Sequence, residues 1–239
     1  MEWKKRGKIV KIAMIHGQSH HGSTCHIARS LAEKLGGEVT EFFLPRDFRE
    51  FCVGCTACFE ESEKKCPHYE KLLPITKAID DADVLILASP VYVFHVTGAM
   101  KALLDHYGWR FMVHRPEEKM FSKQAVCIST AAGAGMKSTN KDMAHSTFYW
   151  GIAKTYQFGV AVMEVSWERV SAKKKLAINK KLERLARKIK KKQSHVKPAL
   201  KTRAFFMVMR IAQKHGFNKA DADYWQEKGW TGKKRPWKA

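Results

Sequence analysis

Four cysteines fall close together: Cys52, Cys55 and Cys58 at two-residue gaps, then Cys66 followed by Pro67, the pattern C-x2-C-x2-C-x7-C-P. Two-residue gaps let successive thiolates converge on one centre, and the longer return brings a fourth ligand. A thiolate-only donor set suits an iron–sulfur cluster. A structural zinc is one alternative, although zinc more often takes paired C-x2-C knuckles. Free thiols without metal are another. The remaining cysteines read as structural: Cys127 packs in a core strand, and Cys25 sits at a helix start.

Three further segments carry binding chemistry. Gly17-Gln18-Ser19-His20-His21-Gly22-Ser23-Thr24 is rich in hydroxyls and runs into a helix. The free N–H groups and dipole of a helix start favour a phosphate. Ser19, Ser23 and Thr24 add donors, and His20 or His21 adds charge. The segment is neither GxGxxG nor a P-loop, so a mononucleotide phosphate fits better than a dinucleotide. An ordinary N-cap is the alternative. Ser89-Pro90-Val91-Tyr92-Val93-Phe94-His95 places Tyr92 and Phe94 to flank a planar ring, unless both are core. Ala131-Ala132-Gly133-Ala134-Gly135 lets a flat ligand approach the backbone, or is simply a flexible loop.

The elements that must position these segments alternate strand and helix. Strands are expected over 8–15, 38–44, 83–89, 124–130 and 159–165, and helices over 24–35, 69–80, 98–111, 140–155 and 170–192. Apolar strands alternating with amphipathic helices imply a parallel sheet covered on both faces, an α/β three-layer sandwich. Ligands bind such sheets beyond the carboxyl ends of the strands. The three binding segments follow strands one, three and four, and the cysteines follow strand two.

This colinear set resembles the flavodoxin-like NAD(P)H-dependent FMN reductase family. Gly17–Thr24 is similar to its phosphate loop, and Pro90-Val91-Tyr92 with Lys101 and Asp105-His106 to its second motif. His20 or His21, and His106, stand where that family has arginines. The resemblance covers roughly residues 8–165. It implies sheet order 2-1-3-4-5, and FMN held by Ser19, His21, Ser23, Thr24, Pro90, Val91, Tyr92, Val93, Phe94, Ala131, Ala132, Gly133 and Gly135. The cysteine motif resembles the iron–sulfur flavoprotein branch, which implies a [4Fe-4S] cluster on Cys52, Cys55, Cys58 and Cys66. NAD(P)H, or a ferredoxin-like donor, would then supply electrons to a small-molecule or protein acceptor. Hydride transfer to a flavin needs no protein acid or base, so no catalytic residue is assigned, and His16, His95 and His106 read as structural. A cluster-free reductase of quinones, nitro or azo compounds or FMN is the alternative enzyme. A homodimer or tetramer is expected.

Charge divides the chain. Residues 169–239 hold 23 basic and 4 acidic side chains, whereas residues 1–168 hold 21 and 19. We expect an FMN-binding domain over 1–195, with its cysteine-rich loop at 45–68, and a basic, aromatic, mainly helical extension over 196–239. The stripe Ile178-Leu182-Leu185-Ile189 points at the sheet, leaving lysines as a solvated face. In Leu200–Phe217, Phe205, Phe206, Met207, Val208, Met209 and Ile211 lie between basic residues. That segment suits an anionic bilayer interface or a subunit contact. A non-catalytic module tethered through 171–239 is therefore a further reading. Tyr224, Trp225, Trp230 and Trp237 among lysines also suit nucleic-acid stacking, ranked last because no such motif appears. No run approaches the ~18 apolar residues of a membrane span, and 45% hydrophobic content excludes low-complexity disorder. Met1–Arg6 and the apolar run after it make no signal peptide, so a cytoplasmic location is expected.

Overall fold

A computed structural model describes residues 9–193 and 196–238. The N-terminal stretch Met1–Arg6, the Lys8 start expected for the first strand, and the boundary at 195 lie outside them. Five strands, β1 (Lys11–His16), β2 (Glu38–Phe43), β3 (Val84–Pro90), β4 (Gln124–Ala131) and β5 (Lys154–Ala161), form one parallel sheet in the order β2-β1-β3-β4-β5. This is the flavodoxin-like arrangement expected.

Side-chain alternation explains why the central strands read as unbroken apolar runs. Ile12, Met14, Val84, Ile86, Val126 and Ile128 point to one face, against α1 (Ser23–Leu35) and α6 (Ala172–Lys192). Ala13, Ile15, Leu85, Leu87, Ala125 and Cys127 point to the other, against α3 (Tyr69–Asp81), α4 (Gly98–Asp105) and α5 (Met136–Tyr149). Each fully buried aliphatic side chain contributes roughly 1.5–3 kcal/mol, so both faces must be apolar. A short α2 (Ala57–Glu60) lies in the segment after β2. On α6, Ile178, Leu182, Ala186 and Ile189 are buried, with Leu185 packed beside them.

Several boundaries differ from the sequence expectation: β5 ends at Ala161 rather than 165, α5 starts at Met136 rather than 140, and three further differences have a clear cause. β5 begins at Lys154, not Gly159, because an edge strand buries alternate residues: Tyr156, Phe158 and Val160 pack inward while Gln157 and Gly159 are exposed. α5 ends at Tyr149 rather than 155, and Gly151 follows at φ +85°. α4 ends at Asp105 rather than Phe111. A 3-10 turn over Gly108–Arg110 follows, where a Cβ on Gly108 would lie 2.9 Å from the Phe59 ring.

The extension forms α7 (Leu200–His215) and α8 (Lys219–Glu227). Its aromatics build a third core: Phe206, Trp225 and Trp230 are fully buried with Met112 and Phe121, and Phe205, Met207, Met209, Tyr224 and Trp237 pack around it. Sequence reasoning offered these rings to a bilayer, a partner subunit or bases. Burial within the chain removes Phe206, Trp225 and Trp230 from all three uses. Val208 and Ile211 remain exposed. Among the described residues, no helix is long and apolar enough to cross a membrane.

Candidate functional site

The ladders bring the ends of β1, β3 and β4 to one sheet edge, with His16 beside Ala88 and Pro90 beside Thr130. A cleft of about 260 Å³ opens there. Its floor is the first turn of α1, Ser23, Thr24 and Cys25, and Pro90, Val91, Thr130, Ala131 and Ala132 form one wall. Gly22 is the N-cap of α1, no side chain caps the helix, and no acidic residue lies in its first turn. The leading amides and the positive end of the helix dipole therefore suit an anion.

Hydrogen bonds join the loops that frame this cleft. Buried Thr97 donates to the Gly17 carbonyl at 2.6 Å and accepts from the Met100 N–H at 3.1 Å, capping α4. A Cβ on Gly17 would come 2.8 Å from the Thr97 hydroxyl, so only glycine allows this approach. Gln18 donates to the Tyr92 hydroxyl at 2.5 Å. Thr24 and Thr130 share a hydroxyl hydrogen bond at 2.6 Å, tying α1 to β4.

After β3 the chain reverses in a tight turn. Tyr92 and His95 exchange both backbone hydrogen bonds, at 3.0 and 2.9 Å. Val93 (φ +49°) and Phe94 (φ +65°) occupy the left-handed region, costly for a β-branched residue. Neighbours hold it there: Ser138 donates to the Phe94 carbonyl, and Asp142 accepts from the Val96 N–H at 3.3 Å and pairs with His95 at 3.0 Å. Gly135 (φ +94°) fits beneath the turn, where a Cβ would lie 2.6 Å from Val91 Cγ1. The turn itself is solvent-facing, with Val93 92% and Phe94 61% exposed.

The structure thus gathers Ser23, Thr24, Pro90, Val91, Ala131 and Ala132 in the cleft. Tyr92, Val93 and Phe94 stand on the turn above, with Gly135 packed against it. Gly133 lies in the exposed loop leading to Gly135. Ser19 turns its hydroxyl to the Leu44 carbonyl at 3.1 Å, and the His21 ring leans on Phe43. His20 lines the cleft, and so do Gln18, Thr130, Val162, Glu164 and Val165. The last five are not among the residues selected from the sequence; Gln18, inside the Gly17–Thr24 segment, and Thr130, at the end of an expected strand, carry the usable signal.

Behind the cleft, Glu41 accepts two hydrogen bonds from Arg29, at 2.9 and 2.8 Å, and contacts His16 Nε2 at 2.7 Å. Burial pushes the Glu41 carboxyl up, but Arg29 and His16 outweigh it and hold the group below its ordinary range. Burial holds His16 below the ordinary imidazole range, and burial raises the Cys25 thiol. His16 stacks on Phe43, and His106 donates from Nδ1 to the Ala102 carbonyl (2.8 Å) and shares a hydrogen bond with His68 Nδ1 through Nε2 (2.9 Å). Since a carbonyl only accepts, His106 Nδ1 carries the proton there.

The cysteine loop leaves the same sheet edge after β2. Cys52 and Cys55 are exposed, and Cys58 and Cys66 half-buried. Left-handed Gly54 (φ +68°) and Thr56 (φ +60°) turn the chain sharply between them. Burial, then the charges of Cys66, Cys52 and Cys55, push the Cys58 thiol up to about 11. Burial likewise raises Cys66, with Cys55 and Cys52 adding to it. As thiolates these groups repel one another, and a bound cationic centre relieves that repulsion. Tetrahedral zinc, with Zn–S near 2.3 Å, would set thiolates about 3.8 Å apart. Among the described residues, the tight three-ligand groups within 4.8 Å are Cys66-His68-His106 and His16-Cys25-Glu41, and no three loop thiols are that close.

Comparison with known proteins agrees with this geometry. The family model for NADPH-dependent FMN reductase matches residues 10–163. An iron–sulfur flavoprotein of Archaeoglobus fulgidus is 28% identical over 204 residues, 82% of this chain and 87% of that protein. The solved NAD(P)H:quinone oxidoreductase of Methanothermobacter marburgensis superposes with TM-score 0.57 at 14% identity, covering 74% of this chain and 94% of that one. An FMN-dependent NADH-azoreductase of Bacillus anthracis, solved in complex with FMN, gives 0.53 at 12%, covering 74% and 100%. At such identities the two structures speak for the fold.

Proposed function

Because the chain belongs to the NADPH-dependent FMN reductase family, we propose that it is a flavin oxidoreductase that moves electrons from NAD(P)H, or a ferredoxin-like donor, through FMN and a [4Fe-4S] cluster to an acceptor. One observation carries the flavin assignment: the uncapped start of α1 opens into a cleft walled by the β3 and β4 loops. In this reading the amides of Ser23 and Thr24 hold the phosphate, flanked by His20, Ser19 and His21. The turn Tyr92-Val93-Phe94, with Pro90 and Val91, borders one side of the ring. Ala131, Ala132, Gly133 and Gly135 keep the other side free of side chains. Held by these residues, FMN would supply hydride-accepting chemistry, and a cluster on the cysteines would supply one-electron chemistry. The protein's part is to bind, orient and exclude water.

Cys52, Cys55, Cys58 and Cys66 are the proposed cluster ligands. Their C-x2-C-x2-C-x7-C spacing and the influence of their charges on one another support a shared thiolate-ligated centre. Residues 1–195 form the proposed FMN-binding domain and 196–239 its extension, in a homodimer or tetramer. The exposure of Cys52 and Cys55 favours the second reading, a cluster-free reductase of quinone, nitro or azo compounds. Purification without oxygen, followed by FMN, iron and sulfide analysis, decides between them. Flavin bands with a broad shoulder near ~400 nm are expected of thiolate-ligated iron. Protein that binds no FMN would refute the proposal, one equivalent of zinc without iron its metal assignment, and flavin alone would leave the cluster-free enzyme.

A further inference from the structure

The helix that carries Cys58 cannot hold itself in place. α2 is a single turn of four residues, far too short to be stable alone, and its last carbonyls need donors from elsewhere. Those donors come from distant parts of the chain. Arg115 donates to the Cys58 carbonyl and, at 3.2 Å, to the Phe59 carbonyl. Asn218 donates to the same Phe59 carbonyl at 2.9 Å. Asn218 is also the N-cap of α8, where its Oδ1 accepts from the Asp221 N–H at 3.3 Å.

Asp221 orients this brace. Its side chain is 1% exposed, and it accepts from Arg115 Nη1 and pairs with His114 Nδ1 at 2.7 Å. A carboxylate so buried is tolerated only when paired. Here the pairing sets the guanidinium plane, so its other nitrogen meets the Cys58 carbonyl. The Phe59 ring packs on His114, 4.7 Å between centroids, closing the contact.

We propose that the extension is a working part of the cysteine centre: its Asp221 and Asn218, together with Arg115 of the main domain, are positioning residues that fix Cys58 for metal binding and set the local charge there. This rests on the cluster reading above. Groups behind the ligands of a metal site commonly change affinity about 10–100-fold when removed, and nearby net charge tunes an iron–sulfur potential.

The test uses the full chain purified without oxygen, as wild type, Asp221→Asn, Arg115→Met, Arg115→Lys and Asn218→Ala. Iron per chain, the rate at which a ferrous chelator strips it, and the reduction potential of the iron chromophore are measured. FMN content serves as the check on the fold. Stripping about ten-fold faster or more in Asp221→Asn and Arg115→Met, with FMN retained, is expected. The potential moves positive in Asp221→Asn, which leaves the guanidinium uncompensated, and negative in Arg115→Met, and Arg115→Lys returns it toward wild type. Wild-type stripping rates and potentials in every variant would overturn the inference and leave the cluster reading intact. Iron-free wild type would overturn that reading and this inference with it. Should Asp221→Asn or Arg115→Met fail to fold, Asn218→Ala decides by the stripping rate: faster iron loss with FMN retained is expected, and a wild-type rate would overturn the inference.

Discussion

Replacing Thr97 with valine tests whether the cleft is built by hydrogen bonds between loops. Valine keeps the shape and branching of threonine but exchanges the hydroxyl for a methyl. Two bonds then vanish: the one to the Gly17 carbonyl at 2.6 Å and the one from the Met100 N–H at 3.1 Å. Losing the α4 cap costs about 1 kcal/mol. Leaving the Gly17 carbonyl without its donor in this buried position costs about 1–3 kcal/mol more. A total of about 2–4 kcal/mol lowers Tm by roughly 4–16 °C in a domain of this size. Thermal unfolding by circular dichroism, without added FMN, reads this directly. Thr97→Ser keeps the hydroxyl and is expected to lose less than half as much. A Thr97→Val protein melting within 2 °C of wild type, or a serine variant as damaged as the valine one, would refute the reasoning.

Three other outcomes follow from the same geometry. Gly135→Ala forces a Cβ to 2.6 Å from Val91 Cγ1 at φ +94°; FMN titration should show about ten-fold weaker binding, near 1.4 kcal/mol, and unchanged affinity would contradict the proposed ring site. Asp80→Ala leaves the buried Arg110 guanidinium without its two hydrogen bonds, at 2.7 and 3.1 Å; urea unfolding should register a loss of about 3 kcal/mol. Burial holds His16 below the ordinary value of 6.5, outweighing Glu41, so the unfolded chain takes this proton first. Its contribution to stability is complete above about 6.5 and is lost as pH falls toward the folded value. The urea midpoint should drop between pH 7.5 and 5.5, less steeply in His16→Gln, and parallel slopes would exclude His16 as a source.

Much of this molecule was legible before any coordinates. The central strands announce themselves because both sheet faces are buried, so 84–88 and 125–128 are apolar throughout whichever way each residue points. Alternation of strand and helix then allows few topologies, and the segments after strands one, three and four must meet at one edge. The cysteine spacing is likewise a local property. What stayed hidden depends on distant partners. The start of β5 was missed because an edge strand buries only every second residue. The cleft residues Val162, Glu164 and Val165 carry no motif; they line it only because β5 pairs beside β4. The core of the tail is hidden for the same reason. Phe206, Trp225 and Trp230 among basic residues look the same in sequence whether they face lipid, a partner or one another. Only the fold brings Met112 and Phe121 to cover them. Local spacing determines which chemistry the chain can offer, because ligand identity and helix starts are set within a few residues. Tertiary structure decides which of those groups stand together, because a contact such as Arg115 on the Cys58 carbonyl joins residues that no periodicity relates.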